Sequence, residues 1–63
     1  MLTARMLAII NRLIADEQEA IDEYSIAVDE DPNHRAIYKL IINEEKGHID
    51  MLESILKGER DHE

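Results

Sequence analysis

The sequence predicts an all-α protein: a two-helix antiparallel hairpin that dimerises into a four-helix bundle. Three observations lead there. Apolar residues recur at helical spacing through both halves of the chain, one acidic Asp-Pro segment separates the halves, and the 63 residues include no cysteine. A chain of this length buries too little apolar surface to be stable without a disulfide, a metal or a partner chain. Disulfides are excluded, which leaves the other two. Hydrophobic residues make up 44% and charged residues 35%, with two Gly, one Pro and no aromatic residue besides Tyr24 and Tyr38. That balance favours helix over disorder or β-structure.

The first helix is expected over residues 3–29. Met6, Ile10, Leu13, Glu17, Ala20, Tyr24 and Ala27 alternate in steps of four and three, and Leu7, Ile14, Ile21 and Val28 recur every seven residues beside them. Spacing of this kind marks one face of an amphipathic helix. Asp16, Glu19, Asp22 and Glu23 lie mostly off that face, towards water. The turn falls at 30–32, with Asp31 as N-cap and Pro32 at the first helical position, where its missing N–H costs nothing. The second helix is expected over 33–57. Its stripe is Tyr38, Ile41, Glu45, His48, Leu52 and Ile55, widened by Ile37, Leu40, Met51 and Leu56. Lys57-Gly58 reads as its stop and 58–63 as a frayed tail, so 1–63 forms one domain. Two such helices cover one side of each other's broad apolar face, and a second hairpin is needed for the rest.

Seven basic residues against fifteen acidic ones give a net charge of −8. That charge repels a phosphate backbone, which argues against nucleic acid as a partner, and it concentrates cations at the surface. No basic and apolar leader precedes the first periodic segment, and no apolar run is long enough to span a bilayer. A soluble protein of the cytoplasm, without a membrane partner, is the expectation.

The informative residues are those that break the apolar rule. Glu17 sits between Leu13, Ile21 and Tyr24 near the middle of its stripe, and His48 sits among Ile37, Ile41, Leu52 and Ile55. A carboxylate among aliphatic side chains costs several kcal/mol unless protonated, paired or bound to a cation. In a hairpin turning at Asp31, residues equidistant from the turn share a height. Glu17 lies 14 residues before Asp31, while Glu45 and His48 lie 14 and 17 after it. All three converge on one level. A second Glu-x-x-His, at Glu59 and His62, meets only Met1 to Ala4 at its level and is read as solvated. A two-fold dimer would collect four Glu and two His in one core, the ligand set of a di-iron or di-manganese carboxylate site. Glu44 competes with Glu45, since helix geometry alone barely separates them.

At these residues the chain resembles the ferritin-like superfamily, most closely the half-length encapsulated ferritins and rubrerythrin-like two-helix proteins. The resemblance is carried by Asp16-Glu-Gln-Glu-Ala-Ile-Asp-Glu-Tyr24 and Asn43-Glu-Glu-Lys-Gly-His-Ile-Asp-Met-Leu52. It implies that Glu17, Glu45 and His48 bind metal, with Tyr24 beside them and Asp16 and Glu19 guiding iron inward. It implies two irons per dimer, oxidation of Fe(II) by dioxygen for iron storage or detoxification, rings of dimers, and an encapsulin shell as enclosing partner and compartment. The sequence has no Cys-x-x-Cys for a rubredoxin-type relay, and no tail resembles a shell-docking peptide. The same ligands accept manganese or zinc. Two other readings stand beside the ferroxidase: a dimerising module whose buried polar layer sets register, and a passive metal-binding bundle. Tyr38, Met6 and Met51 are read as packing, His34 as without a special role, and Gly47 as a point of close backbone approach.

Overall fold

A computed structural model describes residues 1–61, with side chains through Gly58. Two helices, α1 (Ala4–Glu30) and α2 (Arg35–Asp61), run antiparallel, joined by Asp31 and a 3₁₀ turn over Pro32–His34. No strand occurs among the described residues. The Cα positions span 48 × 17 × 10 Å, so the hairpin is a single layer two helices wide. Among those residues no helix is long and apolar enough to cross a membrane.

Local chemistry explains the element ends. Thr3 caps α1: its side-chain Oγ1 accepts from the Met6 amide at 3.1 Å, which satisfies one of the donors left free at a helix start. At the other end the Asp31 amide donates to the Ala27 carbonyl at 2.8 Å, and Pro32 then opens the 3₁₀ turn. As expected, Asp31 precedes a proline at the first position. Its side chain does not cap the backbone, however; it is drawn instead to His34 and Tyr38.

The second helix corrects the expected stop at Lys57-Gly58, since α2 continues through Gly58 to Asp61. A glycine ends a helix by turning left-handed, and no glycine here has positive φ. Within a continuing helix Gly58 costs only about 1 kcal/mol, and no proline follows to force an end. Of the expected frayed tail, residues 59–61 are helical in backbone and His62 and Glu63 lie outside the described residues.

The helices close on a narrower seam than the whole apolar arc. The seam follows Leu7, Ile10, Ile14, Glu17, Ile21, Tyr24 and Val28 on α1 and Tyr38, Ile42, Glu45, Ile49, Leu52 and Leu56 on α2, with Ile9, Ala20, Ala27, Ile41 and Gly47 also partly protected. Both sets step by three and four, the spacing that keeps one line of a helix facing its neighbour. Among the described residues only Ile10 and Ile21 are buried, at 4% and 7% exposure. Met6 and Leu13, expected at the centre of the stripe, are exposed, as are Ile37, Leu40, Met51 and Ile55. A single neighbour cannot cover an apolar arc that wide. By helical angle these six form a second apolar stripe along one side of the hairpin, while Ile26, also exposed, falls outside it. Met6 and Met51, read as packing residues, belong to it and pack against nothing that encloses them in the single hairpin.

Candidate metal centre

The turn fixes the register. Counting back and forward from Asp31 puts Glu17 and Glu45 at one height, and the structure brings them together with His48: one ligand atom from each lies within 4.8 Å of the others. Two ligands on opposite sides of an ion, at bonds of roughly 2.0–2.2 Å, would stand about 4.2 Å apart. The three donors are thus within a side-chain adjustment of enclosing a cation.

The surroundings of the donors differ. Glu17 and Glu45 belong to the seam and are half-buried, while His48 stands on the exposed side of α2. Successive residues turn by 100°, so three positions place His48 about 60° round from Glu45. The cluster therefore spans the border between the closed seam and the open apolar stripe. Glu17 Oε2 is buried without any hydrogen-bond partner, and the His48 imidazole Nδ1 lies 3.7 Å away, beyond hydrogen-bond reach. The Glu17 side chain is 25% exposed and that of His48 50%. An orphaned carboxylate oxygen facing an imidazole and a second carboxylate is an environment that a cation relieves.

The choice between Glu44 and Glu45 is made by rotation. Glu45 turns into the cluster; Glu44, about 100° further round, is exposed and stays out of it. Asp16 and Glu19, the residues expected to guide cations inward, are exposed and outside the cluster. Tyr24 lies one heptad from Glu17 towards the turn. No hydrogen bond joins it to Glu17 among the described residues, and its ring faces Tyr38, with centroids 6.4 Å apart. At Gly47, one residue before His48, a Cβ would meet nothing within 4 Å, so no backbone approaches it in the hairpin, contrary to expectation.

A second polar group assembles at the turn. Asp31 Oδ2 accepts from the Tyr38 hydroxyl at 2.7 Å and lies 2.8 Å from His34 Nδ1. These contacts hold the Asp31 carboxyl below its usual pKa, chiefly through the Tyr38 hydrogen bond and then through His34, and the same bond raises the Tyr38 phenol. His34, read as without a role, and Tyr38, read as packing, are thus both tied to Asp31. The spacing of Asp31, His34 and Tyr38, three and seven residues apart across a helix start, is the sequence signal for this group.

Comparison with protein-family models, curated proteins and solved structures returns no match to this chain.

Proposed function

We propose that the chain is a ferroxidase of the half-length ferritin kind, in which two copies pair through the open apolar stripe and share a centre that oxidises Fe(II) with dioxygen. The observation that carries this is the meeting of Glu17, Glu45 and His48, with a buried unpartnered Glu17 oxygen, at the edge of that stripe. One hairpin offers three donors, too few to complete a six-coordinate ion. A two-fold copy laid on the stripe adds three more beside them and brings four carboxylates to balance two divalent ions. The same copy would cover Leu13, Met51 and Ile55, exposed in the single hairpin.

The residues divide the work by chemistry. Glu17 and Glu45 neutralise the substrate ions and, as carboxylates, can span two of them. His48 supplies a neutral nitrogen donor to each. Two irons held side by side supply the electrons that reduce dioxygen. Manganese or zinc would occupy the same donors without that turnover. A two-helix dimer encloses no room for mineral, so storage requires rings of dimers within a shell such as an encapsulin, in the cytoplasm.

Native mass spectrometry with and without anaerobic Fe(II), followed by dioxygen uptake, tests the assignment. Even-numbered oligomers that gain two irons per pair of chains and then consume dioxygen support it. Oligomers without stoichiometric iron favour the second reading, a register-setting polar layer in a dimerisation module, to which the 3.7 Å approach of His48 to Glu17 also lends itself. Glu45→Gln separates the two: unchanged Fe(II) consumption by this variant would exclude the shared centre. Iron bound without dioxygen uptake would indicate a passive metal-binding bundle.

A further inference from the structure

The chain carries three sulfur atoms, those of Met1, Met6 and Met51, and no cysteine. Methionine is ordinarily among the residue types most often buried. Here none of the three is: Met6 is 40% exposed, Met51 61%, and Met1, at the chain terminus, 104%. Met6 and Met51 stand on different helices but on the same open stripe, with Leu13, Ile37, Leu40 and Ile55. Counted from Asp31, Met51 lies 20 residues away and Met6 25, against 14 for Glu17 and Glu45. Both therefore fall on the side of the cluster away from the turn, about 9 and 17 Å beyond it by backbone level at 1.5 Å per residue. Met51 is three residues from His48, about 4.5 Å along the axis.

The two thioethers differ from their neighbours on the stripe in one chemical respect. Leucine and isoleucine side chains have no lone pair to offer an oxygen-atom donor. A thioether accepts one oxygen atom and becomes a sulfoxide, which is polar and accepts hydrogen bonds. No thiol in the chain competes for the oxidant. On this stripe a sulfoxide costs a single hairpin little, because it stays in water. It costs a pair of hairpins far more, because pairing strips that water away and an aliphatic surface supplies no donor in its place.

We propose that Met51, together with Met6, is a site of reversible oxidation by hydrogen peroxide, and that its sulfoxide keeps two hairpins from pairing through the open stripe. The effect on pairing rests on the dimer proposed above. The step balances: the peroxide O–O bond breaks, one oxygen bonds to the Met51 sulfur and the other leaves as water. The sulfur is oxidised by two electrons and the peroxide is reduced by two. A hairpin held single offers three donors where a pair would gather six, so peroxide disables the shared centre by removing its second half. Reduction of the sulfoxide to the thioether restores the stripe.

The test treats the full chain with hydrogen peroxide across a dilution series, in the presence of Zn(II), which occupies the donors without redox chemistry. Peptide mass spectrometry locates the sulfoxide and sedimentation measures self-association. Met1, exposed and ahead of α1, is the internal reference. In dilute protein Met51 should oxidise about as fast as Met1; in concentrated protein, where a second copy covers it, severalfold more slowly. The sulfoxide form should associate roughly tenfold or more weakly, as expected when a polar group replaces a buried apolar one. A double variant, Met6→Leu with Met51→Leu, should keep its association after the same treatment, since leucine matches methionine in volume and resists peroxide. Met51→Gln, which places a polar group there without any oxidant, should reproduce the loss. Circular dichroism verifies that each species remains helical. Oxidised protein that associates as the untreated protein does overturns the switch and leaves the dimer standing. So does an equal loss of association in the double variant, which puts the sensitive group elsewhere. Untreated protein that stays monomeric at every concentration refutes the dimer itself, and the switch with it.

Discussion

Replacing Glu17 by leucine distinguishes a carboxylate kept for metal from one kept for structure, because the two roles move stability in opposite directions. In the metal-free hairpin Glu17 Oε2 is buried with no hydrogen-bond partner. A group in that state costs about 1–3 kcal/mol. The Glu17 side chain keeps 25% of its surface in solvent, so the lower end, about 1 kcal/mol, is the appropriate value. Leucine removes the cost and continues the aliphatic surface of Ile14 and Ile21. For a domain of this size 1 kcal/mol corresponds to roughly 4–8 °C in melting temperature, so metal-free Glu17→Leu should melt that much higher than the unmodified protein. A divalent ion then inverts the order. Present at about 100 times its Kd, it stabilises the wild type by about 2.7 kcal/mol and leaves the variant unchanged. The assay is thermal unfolding by far-ultraviolet circular dichroism with a chelator or with Mn(II), which occupies the donors without turnover, at one fixed protein concentration. A lower metal-free melting temperature for Glu17→Leu would show a structural partner for the carboxylate and refute the reasoning. So would a variant that keeps the full stabilisation by Mn(II).

Three further outcomes follow from other parts of the hairpin. Leu13→Glu and Ile55→Lys place charge on the open stripe and should each weaken self-association by roughly tenfold or more, since burying an aliphatic side chain is worth about 1.5–3 kcal/mol when complete; sedimentation across a dilution series measures it, and unchanged association would place the contact elsewhere. Gly47→Ala should raise the melting temperature by a few degrees, because alanine favours helix by about 1 kcal/mol and the added Cβ meets nothing within 4 Å; a fall would reveal another copy packed on Gly47. Asp31 titrates below its ordinary value of 3.8 and Tyr38 above its ordinary 10.0. The lowered Asp31 adds stability that is present above pH 3.8 and lost as pH falls through its folded pKa, and the raised Tyr38 adds stability that is present below pH 10.0 and lost as pH rises through its own. Asp31→Asn should flatten the acid limb of a plot of melting temperature against pH and return the Tyr38 ultraviolet titration towards 10.0; a phenol that titrates unchanged in this variant would show that Asp31 does not hold it.

The open stripe also explains why so few residues are enclosed. Two helices side by side share one line of contact, and 27 residues each provide one long seam and no interior. Ile10 and Ile21 lie on that line and are the buried positions among the described residues. Further burial requires a third helix, and in the proposed dimer the second copy provides it.

Periodicity and one helix-breaking segment specify the two helices, the turn and the level at which Glu17 meets Glu45. Steps of three and four can persist only on a helix, Asp31-Pro32 breaks the first helix and starts the next, and equal distances from that break place Glu17 opposite Glu45. Rotation about each helix axis follows from packing and not from periodicity. The apolar arcs are wider than one neighbour can cover, so several rotations satisfy the same pattern, and packing selects the seam through Leu7, Ile14, Ile21 and Val28 over the one through Met6 and Leu13. That rotation brings Glu45 inward and leaves Glu44 in solvent, and it sets His48 at the border of the open stripe. Two further outcomes lie beyond periodicity for the same kind of reason. Gly58 continues α2 because a glycine stops a helix only when its backbone turns left-handed, and Asp31 turns from the backbone amides to Tyr38 because the closed hairpin puts a phenol within 2.7 Å. Spacing along a chain sets heights and angles on one helix; which surfaces meet is settled by contact between two.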